Sequence, residues 1–144
     1  MKLLARNAAL GTVMALVAVA ITYFIADAIS GPLIATGPDG ELAEIPLGAA
    51  IFATVIGGIV GTVLALLVRK RAAKAATVFP SICAVALVLY GIFAAVQADS
   101  ASTAVWLNIL HIVAAIPIIG SLVNGLQQGG PVAAPTGNLA SSSN

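Results

Sequence analysis

The chain has 144 residues, of which 60% are hydrophobic and 8% charged, and its formal net charge is +1. A soluble domain carries charge on about a quarter of its residues, so this composition argues against a water-soluble fold, and the near-neutral balance gives no nucleic-acid signature. The single cysteine, Cys83, rules out an internal disulfide.

Four apolar segments, residues 8–30, 47–68, 75–97 and 104–126, take up most of the chain. Each is long enough to cross ~30 Å of hydrocarbon as a helix. Membrane strands would have to alternate polar and apolar residues. Runs such as "ALVAVAI" and "VIGGIVGTVLALLV" do not, which sets aside a β-barrel and predicts an all-α integral membrane four-helix bundle at residues 1–126.

The first segment follows Lys2 and Arg6 and ends near "ADA", a small-residue pattern like a signal-peptide cleavage site. Its apolar run is longer than the ~7–15 residues of a signal core, which predicts an uncleaved first helix. The next link, residues 31–46, contains "GPDG", where proline presets one dihedral and glycine accepts positive φ. Its flanks, "LIAT" and "ELAEI", suit a short hairpin over the outer end of the bundle.

In the second segment Ala49, Ala53, Gly57, Gly61 and Ala65 recur every four residues. Small residues let helix backbones approach closely in lipid, so this stripe is expected to be a packing face, against a helix of the same chain or of a second copy. Thr54 and Thr62 lie at its edge as possible donors. The third segment carries Pro80 in its first turns, where proline is tolerated, and the fourth carries Pro117 in its interior, where a kink is expected. "ADSAST" links them tightly, with Ser100 or Ser102 placed to cap the fourth helix. Residues 127–144 are rich in Gly, Pro and Ser and are expected to form a flexible cytoplasmic tail.

Charge placement sets the orientation. Lys2, Arg6, Arg69, Lys70, Arg71 and Lys74 lie at one set of connections, and Asp27, Asp39, Glu41, Glu44 and Asp99 at the other. Short basic loops stay cytoplasmic, which predicts a bacterial plasma-membrane protein with both termini inside.

Counting residues down each helix at 1.5 Å per residue brings Tyr23, Asp27, Thr54, Tyr90, Gln97, Asn108 and His111 into one polar layer in the outer half, while Trp106 points toward the lipid interface. Two readings follow. Asn108 and His111 hydrogen-bond to Tyr23, Asp27 or Tyr90 and fix helix register, or Tyr23, Asp27, Tyr90, Asn108 and His111 line an outward pocket for a small ligand. Enzyme chemistry has little support: no HExxH, CxxC or phosphate-binding glycine loop is present, and His111 with Asp27 makes too small a ligand set for a tight zinc site. No cofactor or metal is expected. The inner half lacks the polar lining that a channel needs.

"STAVWLNILHIVAAIPIIGSL", with the four-span layout and the basic link after the second span, resembles an uncharacterised family of small actinobacterial four-helix membrane proteins. The resemblance covers residues 8–126, its most specific element being Trp106, Leu107 and His111. It implies an integral four-helix fold with an outer histidine and supplies no activity. The chain is thus read as a non-enzymatic accessory or assembly subunit, partnered by the lipid bilayer and by further copies or a larger membrane protein. The alternative is a small-ligand or lipid binding protein, or a minor transporter. Mass mapping of the purified protein should recover peptides from the first segment; a mature N-terminus near Ile29 would leave three spans.

Overall fold

The computed structural model describes residues 2–37 and 39–128. In chain order the elements are α1 (Lys2–Ser30), β1 (Ile34–Thr36), β2 (Leu42–Glu44), α2 (Leu47–Arg71), α3 (Ala75–Gln97) and α4 (Ala101–Gln128). All four helices are long and apolar enough to cross a membrane. Of the expected tail, Gln127 and Gln128 close α4, and residues 129–144 lie outside the described residues. Pro80 and Pro117 both lie inside continuous helices.

Only 17–28% of each helix's most apolar window is buried. The outward faces carry bulky hydrophobes such as Phe52 (68% exposed) and Val96 (74%). A surface of this kind suits hydrocarbon, because water penalises large contiguous apolar patches. The bases and acids identified in the sequence flank opposite ends of the helices, the bases around the α1 start and the α2–α3 link, the acids around the hairpin end.

The most extensive helix contact is between α1 and α4. Leu4, Ala8, Gly11, Ala15, Val19, Tyr23 and Ala26 form the buried stripe of α1, stepping by three or four residues as one helix face requires. A Cβ on Gly11 would stand 2.7 Å from the Pro117 carbonyl oxygen and 2.7 Å from Ser121 Cβ, and one on Gly125 would stand 2.7 Å from Leu4 Cδ1. The two backbones therefore approach as closely as they do because neither position has a side chain. Antiparallel order follows from the pairs themselves: Leu4 meets Gly125, Gly11 meets Pro117, and Ser30 meets Ser102.

On α2 the buried positions are Thr54, Gly58, Ala65 and Val68, with Gly61 half-buried against Leu122 and Ile118. These alternate steps of four and three and hold one azimuth. Steps of four alone drift by about 40° each at 3.6 residues per turn, so the small-residue stripe spirals off this face. Its Gly61 and Ala65 end packs inside the bundle, whereas Ala49, Ala53 and Gly57 are exposed. Gly58 seats Thr12 of α1. Thr12, Thr54 and Thr62 donate to Ala8, Ala50 and Gly58 carbonyls of their own helices, which satisfies each hydroxyl locally and leaves cross-helix bonding to other groups.

The expected hairpin is present. β1 and β2 pair antiparallel with Ile34 opposite Glu44, Ala35 opposite Ala43 and Thr36 opposite Leu42. Gly40, at φ 83°, takes the left-handed turn conformation that L side chains disfavour. The α3–α4 link adds to the other edge through an Ala35–Ala98 bridge, with Asp99 N–H donating to the Ile34 carbonyl at 3.2 Å. Leu33, 1% exposed, plugs the end of the bundle and joins a core with Val19, Tyr23, Ala26, Ala35, Ala94, Leu107 and Leu110. A second core at the basic end is built on Leu4, Val68, Phe79 and Leu122.

Gly11→Ala should destabilise the protein by about 1–3 kcal/mol, the usual cost of overpacking, because backbone rather than a flexible side chain blocks the new methyl. Gly57→Ala, with open space around it, should be neutral or slightly stabilising. Thermal unfolding of both variants in the same detergent separates them.

Candidate functional site

Apart from Thr54, which bonds within α2, the polar residues expected in one layer divide into two groups. On α1, the Tyr23 hydroxyl donates to the Ile45 carbonyl at 2.8 Å, tying the buried helix face to the strand that returns from the hairpin. Asp27 is exposed one turn further along. Ser30 ends α1 by accepting from Trp106 Nε1 at 2.8 Å and from Ser102 Oγ at 3.0 Å. Trp106 is half-buried, fixed by its indole N–H. Gln97 Nε2 reaches the Thr36 carbonyl at 3.5 Å, and Ser100 caps α4 by accepting from Thr103 N–H at 3.2 Å.

The second group lies between α3 and α4. Asn108 donates from its amide nitrogen to the Gly91 carbonyl at 3.2 Å and to the Ala104 carbonyl of its own helix at 2.9 Å. Its Oδ1 occupies the space where a Cβ on residue 91 would be, so glycine there is a requirement of the contact. His111 Nδ1 lies 2.5 Å from the Leu107 carbonyl. A carbonyl only accepts, so Nδ1 carries the proton, and in the neutral ring Nε2 is left as an acceptor. The Tyr90 ring lies over the imidazole at a centroid separation of 4.5 Å, tilted by 49°.

Of the five residues expected to line a pocket, the structure brings Tyr90, Asn108 and His111 together and holds Tyr23 with the hairpin. Depth along a helix was readable from residue number; the direction each side chain faces depended on which helices touch. Gly91, Ser30 and the Ile45 carbonyl, which complete these contacts, lie outside the set that the sequence points to. Gly91 was readable in principle as a small residue beside Tyr90, whereas a backbone acceptor such as Ile45 leaves no mark in sequence.

Cys83 packs against the basic-end core, away from His111. Among the described residues, no three of His, Cys, Asp and Glu come together to hold a metal ion, and no buried side-chain nitrogen or oxygen lacks a hydrogen-bond partner. The arrangement can lock helix register and accept hydrogen bonds.

Gly91→Ala should displace the Asn108 amide, and Asn108→Ala should lose its interhelical bond at a cost of about 0.6 kcal/mol and at most about 2. The double variant should lose less stability than the two singles added together, because the alanine at 108 makes room for the methyl at 91. Unfolding in detergent measures the cycle; strict additivity would mean that the two residues do not meet.

No curated protein and no solved structure matches the chain. A family model does, over residues 1–128, which take in every element described above. The chain belongs to a family of unknown function (DUF6069).

Proposed function

We propose that this chain is a small non-enzymatic integral protein of a bacterial plasma membrane, an accessory or assembly subunit that works as an oligomer or beside a larger membrane protein. The resemblance of its fourth segment makes an actinobacterial source the expected one. The observation that carries the reading is where the polar groups spend their hydrogen bonds. Tyr23 and Asn108 spend their hydrogen bonds on joining one element of the chain to another, while Thr12, Thr54 and Thr62 bond within their own helices; neither set converges on a reacting centre.

Charge supports the orientation. Lysine and arginine near span ends are retained on the cytoplasmic side, so the α2–α3 link and both termini face inward and the hairpin faces out. Exposed apolar faces on all four helices leave ample surface for a partner within the bilayer.

Two measurements test this. In a Cys83→Ala background, Lys70→Cys should react with a membrane-impermeant maleimide only after the cells are opened, and Glu41→Cys should react in intact cells; the reverse pattern would invert the topology. Native mass spectrometry of the gently extracted protein should show more than one chain, or one chain with a larger companion. A lone monomer under every mild extraction would contradict the assembly role.

A further inference from the structure

Asn108 and His111 border a groove of about 390 Å³ between α3 and α4, walled by Leu87, Val88, Gly91 and Ile112. That volume falls in the ~300–1,000 Å³ range of small-molecule sites. Its rim opens sideways, with Val88 63% and Ile112 47% exposed, so access is from the bilayer rather than from water. The recess follows about two turns of α3, or ~12 Å. Bulky side chains at its rim hold off a second helix, which would need small residues to come close. A single aliphatic chain is narrow enough to enter.

Two polar side chains, Asn108 and His111, border this hydrocarbon-lined space. Asn108 has spent its amide nitrogen on two carbonyls, leaving Oδ1, and His111 has spent Nδ1–H on Leu107, leaving Nε2. No buried side-chain nitrogen or oxygen among the described residues lacks a partner, so these two atoms without one are accessible, and both residues line the groove. Both are acceptors. An acceptor exposed at membrane depth is costly unless a donor reaches it, and the Tyr90 ring holds the imidazole in place.

We propose that this groove is a binding site for a long-chain membrane alcohol, which lays its aliphatic chain along Leu87, Val88 and Ile112 and donates its hydroxyl proton to His111 Nε2. The site goes beyond the assembly role and stands or falls separately from it, since neither copy number nor topology enters its test.

The probe is a 16-carbon primary alcohol bearing a diazirine at its fourth carbon, compared with its methyl ether, in phosphatidylcholine vesicles holding the full chain. After illumination, the alcohol should label residues 87–95 and 108–112 about three- to tenfold more than the ether, as one hydrogen bond in a membrane allows. In His111→Phe that preference should vanish, and in His111→Gln, which keeps an acceptor, it should partly return. Equal labelling by alcohol and ether in the wild-type chain would overturn the proposal whether or not His111→Phe folds. So would labelling confined to other residues.

Discussion

Helices in lipid gain little from burying each other's apolar side chains, because lipid tails are equally apolar. What holds them is close approach and well-placed polar contacts, and here the approach of α1 to α4 governs the rest. Gly11 lies against the Pro117 carbonyl and Gly125 against Leu4, so the two antiparallel helices meet along nearly their whole length. That seat brings Ser30 to Ser102 and Trp106, turns Tyr23 toward the returning hairpin strand, and leaves α3 to close on the other side of α4 through Gly91 and Asn108.

The two ends of the bundle solve different problems. At the basic end the core is wholly apolar, centred on Phe79, Leu4 and Leu122, and the charged groups stand outside it. At the hairpin end backbone strands have to be accommodated, and every strand brings amides that need partners. The pairing of β1 with β2 satisfies one side and the Ala98–Asp99 link the other. Leu33 and Ala35 fill the remaining space. Polar side chains collect where these irregular connections are, which gives the layer a structural origin even where, at His111 and Asn108, it keeps acceptors to spare.

The helices and the hairpin were legible in the sequence because hydropathy over ~20 residues and the "GPDG" turn are strong local signals. Packing faces were less so. The stripe on α2 is the longest small-residue pattern, yet its strict period of four rotates away from any one neighbour. The Gly11-x-x-x-Ala15 and Ser121-x-x-x-Gly125 patterns, whose glycines α1 and α4 use where they meet, are too short to stand out in a chain this rich in small residues. Likewise residue counting puts Tyr23 and His111 at one level, and level alone does not tell whether two side chains face each other. Tyr23 faces Ile45 and His111 faces Tyr90, a distinction set by helix order around the bundle.

The seat of α1 on α4 is tested most directly by a cysteine pair at its hairpin end. Ser30 Oγ and Ser102 Oγ lie 3.0 Å apart, close enough for sulfurs at these positions to bond with small side-chain adjustments. Ser30→Cys with Ser102→Cys, in a Cys83→Ala background so that only two thiols remain, should form a disulfide within one chain on mild oxidation in the bilayer, read by mass spectrometry of the linked peptides. No linkage, or linkage only between chains, would contradict the antiparallel α1–α4 contact on which the account depends.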